Sequence, residues 1–229
     1  MKWIEEAKRR VAKEAVKNVE DGFVIGLGSG STAAYVIKEL GLMKKQDGLK
    51  VLCVPSSSQA MMLAVKSEIP LTTLDEHPNL DLTIDGADEI DKKLNMIKGG
   101  GAALTKEKIV ASAAKKVIIV ADETKLVEKL GTTFRLPIEV LPFALATVTN
   151  RIKEFGGKPF LREGKNKVGA VVTDNGNYIL DVEFGPIDDA EILNRKLKFI
   201  PGLIETGLFI DMADLVYLGK KDGVINLQK

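Results

Sequence analysis

The chain reads as an α/β protein: a mostly parallel sheet with helices on both faces and a small α+β unit inserted before the last strands. Three observations predict this. Apolar strand-like runs alternate with helix-spaced segments over residues 1–130, and polar, glycine-bearing clusters follow several of those runs directly. From Gly131 the texture changes, and a strong hairpin signal appears.

Trp3, Ala7, Val11, Ala15 and Val19, with Ile4, Ala12 and Val16 beside them, recur at helical spacing and predict an amphipathic helix over residues 3–19. Asp21-Gly22 turns the chain. Phe23 to Leu27 reads as a buried strand, which runs into Gly28-Ser29-Gly30-Ser31-Thr32 and then a helix from Ala33 to Leu40. The alternation continues with strand 50–54, helix 57–66, a short strand near 71–74, strand 80–85, helix 102–115 and strand 117–121. Such a succession builds a Rossmann-like layer order, because each crossover helix packs back onto the sheet. Ligands of these sheets sit beyond the carboxyl ends of the strands. Residues 28–32, 85–88 and 122–125 are therefore expected along one edge.

After Gly131 the expected elements are strand 137–141, helix 143–155 and strand 158–162. Strands 168–173 and 178–184 then flank Asp174-Asn175-Gly176-Asn177, before helix 188–197 and strand 203–209. The order βαβ, β, αβ suggests a ferredoxin-like unit. Residues 214–218 and 224–227 are expected to return to the first sheet. The predicted domains are thus 1–130 with 207–229, and 131–206.

Thirty-three basic and 32 acidic residues leave a formal charge of +1, so no global field favours nucleic acid or an anionic membrane, and an anion must be caught locally. Cys53 is the only cysteine and lies in the apolar run 51–54, which fits a buried structural thiol and a reducing compartment. Neither the opening MKWIEEAKRR nor any later run has the apolar length of a signal peptide or a membrane span, so a soluble cytoplasmic protein is expected.

Three clusters can carry chemistry. In residues 26–32 the glycines permit a tight turn, hydroxyls add donors and the helix start favours a dianion. The run lacks the Gly-Lys-Ser/Thr of a P-loop and the third glycine of a dinucleotide fingerprint; plain helix capping by Ser or Thr competes with anion binding. In the second cluster, strand alternation places Asp85 at the end of its strand, where Gly86 can turn Asp88 back toward it. A solvated acidic turn, a metal site and a carboxylate pair for sugar hydroxyls compete here. The metal reading is short of ligands, because His77 is the only histidine. The third cluster is IKGGGAALTKEK, where Lys98 can supply a cation, Gly99-Gly100-Gly101 open the backbone to a ligand and Glu107 follows in the next helix. By spacing alone Lys98 and Glu107 read as surface residues. Asp122-Glu123-Thr124-Lys125 adds a lysine at the same edge.

Taken together, GLGSGSTAAY, DLTIDGADEID, IKGGGAALTKEKI and ADETK, with FGGKPFLR and FIPGLIETGLF, closely resemble the type A ribose-5-phosphate isomerases across nearly the whole chain. The resemblance implies interconversion of D-ribose 5-phosphate and D-ribulose 5-phosphate in the pentose phosphate pathway without metal or cofactor, by a homodimer or homotetramer. It implies that Glu107 is the proton-transferring base, and that Asp85, Asp88 and Lys98 bind and polarise the sugar oxygens. It further implies substrate contacts at Ser29, Gly30, Ser31, Thr32, Gly86, Ala87, Gly99, Gly100, Gly101 and Lys125. Ser29 stands where threonine is common and keeps the hydroxyl; Lys8 is a candidate for an N-terminal phosphate ligand. The competing readings are a non-catalytic sugar-phosphate sensor and another sugar-phosphate isomerase or deaminase. The first is disfavoured by the absence of a helix-turn-helix segment or basic stripe. A deaminase would be expected to use a histidine, and His77 falls in a turn-like stretch.

Overall fold

A computed structural model describes residues 2–165 and 168–229. The chain begins with α1 (Lys2–Val16), β1 (Val24–Leu27), α2 (Gly30–Asp47), β2 (Leu52–Pro55), α3 (Ser58–Lys66) and β3 (Leu82–Asp85). Two very short strands follow, β4 (Glu89–Ile90) and β5 (Met96–Ile97), then α4 (Leu104–Ser112) and β6 (Val117–Asp122). Next come β7 (Leu136–Val140), α5 (Leu145–Glu154), β8 (Lys158–Leu161), β9 (Tyr178–Glu183) and α6 (Ala190–Lys198). The chain closes with β10 (Leu203–Thr206), β11 (Leu208–Phe209), β12 (Leu215–Lys220) and β13 (Gly223–Gln228).

These elements form two compact units. The first holds the chain up to Ala87, Lys106–Lys125 and Met212–Lys229. Its sheet has the order β13-β12-β6-β3-β1-β2, parallel throughout except for the β12/β13 hairpin. Ile25, Leu27, Leu82, Ile84, Ile118 and Val120 bury one face against α1, α2 and α3. The opposite face takes α4, whose Val110 clusters with Val54 and Leu80. Gly26 makes this approach possible, since a methyl group there would lie 2.4 Å from Val110 Cγ1. The expected sheet with helices on both faces is therefore observed.

The second unit holds Asp88–Thr105 and Leu126–Asp211. Its four-stranded antiparallel sheet has the order β10-β7-β9-β8, the βαββαβ arrangement expected of a ferredoxin-like unit. Val148, Ile152 and Leu197 from α5 and α6 pack on Ile138, Val140, Leu180 and Val182. A separate three-stranded sheet joins β4, β5 and β11. That sheet explains why residues 88–105 and 207–211 cluster with the second unit, whereas the boundaries expected from sequence assigned them to the first.

Local departures have identifiable causes. Helix α2 runs on to Asp47 instead of ending at Leu40, because Gly41 lets the helix pass Ser67, whose Cβ would lie 2.8 Å from an added methyl, and Gly48 at φ 74° caps its end. The strand expected near 71–74 is a single bridge from Leu71 to Cys53, since the chain turns where the His77 N–H donates to the Thr73 carbonyl. Residues 168–173 make only isolated bridges. The adjacent turn is built by the Thr173 hydroxyl, which accepts from the Asn175 and Asn177 N–H groups. The strand expected over 203–209 is cut at Gly207, which passes so close to Lys98 and Pro137 that no side chain fits, and the chain changes sheet there.

Candidate active site

In the first unit the glycine loop and the acidic strand meet at the carboxyl edge of the sheet. Gly28 N–H donates to the Ile84 carbonyl at 3.0 Å, and Ser29 N–H donates to Asp85 Oδ1 at 3.1 Å. The same oxygen accepts from Gly86 N–H at 2.7 Å. Asp85 is only 4% exposed, and these backbone donors hold its carboxylate in place. Ser29 does not cap α2 with its side chain; its hydroxyl pairs with Ser56 Oγ at 2.9 Å and donates to Ser57 Oγ at 2.6 Å. Simple capping therefore does not account for this serine. The first turn of α2 also carries no acidic residue, so the positive end of its dipole is not offset from within the helix.

Lys8 on α1 donates to Ser31 Oγ at 3.1 Å and to Glu5 Oε1 at 2.9 Å, which places an ammonium group at the start of α2. Sequence spacing could not fix this register, because the relation spans 23 positions. Glu5 is in turn held below the usual carboxylate range, first by the Tyr35 hydroxyl and then by Lys8. Lys125 closes the 3-10 turn Glu123–Lys125 after β6, at the carboxyl edge of the sheet. Asp122 stays buried as the acceptor for Thr124 N–H at 3.1 Å and serves that turn.

Glu107 lies in the first turn of α4 and is 5% exposed, so the surface reading of this residue is overturned. The direction of α4 places it: the Ala113 carbonyl beyond its end accepts from Leu80 N–H ahead of β3, and Val110 packs at Gly26. Glu107 is one turn, about 5 Å, nearer the carboxyl edge than Val110.

The second unit carries the other candidates. Lys98 is 4% exposed, although spacing alone made it a surface lysine. Its N–H donates to the Gly207 carbonyl at 2.9 Å, and its ammonium lies 5.2 Å from the Phe209 ring centroid. Asp88 Oδ2 accepts from Gly100 N–H at 2.7 Å. A methyl on Gly100 would lie 2.7 Å from Asp88 Oδ1, so the middle glycine is needed for this approach. Gly99 is buried at φ 107°, whereas Gly100 and Gly101 are exposed.

The acidic run thus separates into distinct tasks. Asp81 accepts from Lys115 and from Val24 N–H, while Asp91 Oδ1 accepts from the Lys93 and Asn95 N–H groups in a local turn. Glu89, fully buried and missed from sequence, accepts from Gly131, Thr133 and Phe134. Glu139 is a second buried carboxylate without a sequence signal, and it accepts from Thr105, Thr173, Asn175 and Asn177. Burial pushes the Cys53 thiol up to about 12, as a structural core thiol requires. Among the described residues, no group of three or more His, Cys, Asp and Glu is placed to hold a metal ion. No described helix is long and apolar enough to cross a membrane.

Comparison with known proteins places these residues in a family. The sequence model of Ribose 5-phosphate isomerase A (phosphoriboisomerase A) matches residues 52–223. Ribose-5-phosphate isomerase A of Methanosarcina acetivorans is 51% identical over 220 residues, covering 96% of this chain and 93% of the relative. The Pyrococcus abyssi protein of the same name is 48% identical, with 99% of both chains covered. Among solved structures, a D-ribose-5-phosphate isomerase in complex with phospho-erythronic acid superposes with TM-score 0.96 at 47% identity, covering 99% of each chain. The ribose 5-phosphate isomerase A of Methanocaldococcus jannaschii gives 0.95 at 49% identity, covering 98% of this chain and 99% of the other.

Proposed function

This chain belongs to the ribose 5-phosphate isomerase A family, and on that premise we propose that it interconverts D-ribose 5-phosphate and D-ribulose 5-phosphate in the non-oxidative pentose phosphate pathway. The observation that carries the proposal is Glu107: a carboxylate kept 5% exposed, one turn beyond the helix contact at Gly26 and toward the strand ends.

Aldose and ketose differ by one hydrogen moved between C2 and C1. Glu107 takes the C2 proton of the open-chain aldose; the C–H electron pair forms the C1–C2 double bond, and the carbonyl pair moves onto O1. The resulting cis-enediolate collapses when Glu107 returns the proton to C1, while the O2 hydroxyl loses its proton and O1 gains one. A positioned base contributes about 10² to 10⁴ in rate, too little for so weak a carbon acid. The remainder falls to charge stabilisation by Lys98 and by N–H groups of Gly99–Gly101, where one donor is worth roughly 10² to 10³. Asp85 and Asp88 share ring opening and the hydroxyl proton shuttle, with Gly86 and Ala87 shaping the turn between them.

The phosphate lies far from C1 and C2, and its binding positions the sugar. Ser31, Thr32 and the N–H groups at the start of α2 take it, with Lys8 and Lys125 as cations; the bond from Lys8 to Ser31 supports this assignment. The relative's ligand supports the carbon chemistry, because phospho-erythronic acid joins a phosphate to a planar carboxylate whose two oxygens mimic an enediolate. Balanced charge and a lone buried thiol suit a cytoplasmic enzyme, which we take to be a homodimer or homotetramer as the family resemblance implies. Incubating the purified chain with D-ribose 5-phosphate should yield ketose phosphate at a rate proportional to enzyme; no ketose at any enzyme concentration would reject the reading.

A further inference from the structure

Arg162 follows β8 and is fixed through its backbone: its N–H donates to the Ile179 carbonyl at 2.8 Å, and its carbonyl accepts from Val171 N–H at 2.8 Å. Asp181 on β9 holds the guanidinium by two bonds, Nε to Oδ2 at 2.8 Å and Nη2 to Oδ1 at 2.5 Å. The pair is mostly shielded, with side-chain exposures of 15% and 23%. A two-point fork fixes the plane of the guanidinium as well as its position. The remaining nitrogen, Nη1, donates to the Gly99 carbonyl at 2.9 Å and the Gly100 carbonyl at 3.1 Å.

Those two contacts set the direction of two peptide groups. No peptide bond described here is cis, and in a planar trans peptide the N–H points opposite to the C=O. With the Gly99 and Gly100 carbonyls turned to Arg162, the N–H groups of Gly100 and Gly101 point away from it. Gly100 N–H is seen to do so, reaching Asp88 Oδ2 at 2.7 Å. Three consecutive glycines have more backbone freedom than any other tripeptide, so this direction needs restraint: the Ala102 N–H donates to the Gly99 carbonyl at 3.0 Å within the turn, and Arg162 holds both the Gly99 and the Gly100 carbonyl from outside it. A cation on the carbonyl side also polarises both peptides and strengthens their N–H groups as donors.

We propose that Arg162, locked by Asp181, is a positioning residue that presets the glycine run for the isomerisation, aiming the Gly101 N–H as an oxyanion donor and holding the Gly100 N–H on the Asp88 carboxylate. This rests on the isomerase reading above. Arg162 touches no reacting atom; it acts through the glycine backbone, so its loss acts on the transition state more than on sugar binding.

The test compares Arg162→Met, Arg162→Lys and Asp181→Asn with the unaltered full-length chain in ribose 5-phosphate turnover, inhibition by phospho-erythronic acid and thermal unfolding. Arg162→Met should lower kcat about 10- to 100-fold, less than outright removal of an oxyanion donor. KM should stay within about threefold, the signature of an interaction made in the transition state. Inhibition should weaken by the same factor as kcat/KM. Lysine should not restore turnover, because it keeps the charge without the fork. Asp181→Asn should shift kcat in the same direction by a smaller factor. A kcat for Arg162→Met within about twofold of the unaltered chain, or a risen KM at unchanged kcat, overturns the proposal. Should Arg162→Met not fold, Asp181→Asn decides, and an unaltered kcat there overturns it. An unaltered chain inactive on ribose 5-phosphate rejects the isomerase reading itself, whereas an active chain with an equally active Arg162→Met rejects only the role of Arg162.

Discussion

Ser29 N–H donates to Asp85 Oδ1 at 3.1 Å, fastening the glycine loop after β1 to the last residue of β3. Gly28 is what makes the fastening possible. A methyl there would lie 2.0 Å from Asp85 Oδ1 and 2.5 Å from its Cα, and a backbone atom inside a sheet cannot step aside. Gly28→Ala is therefore expected to cost about 1 to 3 kcal/mol by overpacking and to displace the Asp85 carboxylate. Chemical denaturation should show the stability loss, and kcat should fall with it. A variant of unchanged stability and turnover would mean that the loop and strand are not so tightly coupled.

Glu107→Gln keeps the volume of the side chain and removes the basic oxygen. Turnover of ribose 5-phosphate should fall by about 10² to 10⁴, with KM changed little. Exchange of the substrate C2 hydrogen with solvent deuterium should fall in parallel. Near-normal exchange would assign the base elsewhere.

Lys8 and Lys125 are assigned to the phosphate, remote from the reacting carbons. Alanine at either position should raise KM several-fold, and the effect should shrink as salt rises, because screening weakens the lost attraction in the unaltered chain as well. The unphosphorylated sugar, D-ribose, should be turned over equally poorly by both variants and the unaltered chain. A variant that loses kcat at unchanged KM would place that lysine in the chemistry instead.

Asp81 gives a pH-dependent contribution to stability. Its carboxyl is held below the usual range, first by Lys115 at 2.8 Å and then by the Val24 N–H at 3.0 Å. A depressed folded-state pKa stabilises the fold fully above the unfolded value, near 4, and the stabilisation is lost as pH falls through the folded value. Asp81→Asn should therefore be less stable than the unaltered chain at neutral pH, with the gap narrowing in acid. A gap independent of pH would show that the ion pair contributes nothing.

Cys53 offers a check on the core. Its thiol, pushed up to about 12 by burial, should resist disulfide-exchange reagents at pH 8 and react only when the chain unfolds. Rapid labelling of the native protein would mean that the β1/β2 region opens easily.

The sequence by itself determined the alternation of strands and helices, the parallel sheet, the ferredoxin-like unit and the glycine and acidic runs at 28–32, 85–88 and 99–101, whereas Lys98 and Glu107 became candidates through the family resemblance. These signals are local: period, turn residues and glycine runs are written within a few positions. Its limits are equally physical. Strands β4 and β5 are two residues each, too short for any period to register, and they draw residues 88–105 into the second unit. Lys98 is buried beside β11 and Gly207, and Glu107 is buried on a helix whose Val110 packs at Gly26. Spacing gave no hint of either. Glu89 and Glu139 take their donors from positions 34 to 45 residues away, Lys8 meets Ser31, and Arg162 meets Gly99 and Gly100 from 63 and 62 residues away. Only tertiary structure decides such partners, because a side chain's environment is set by whatever the fold packs beside it.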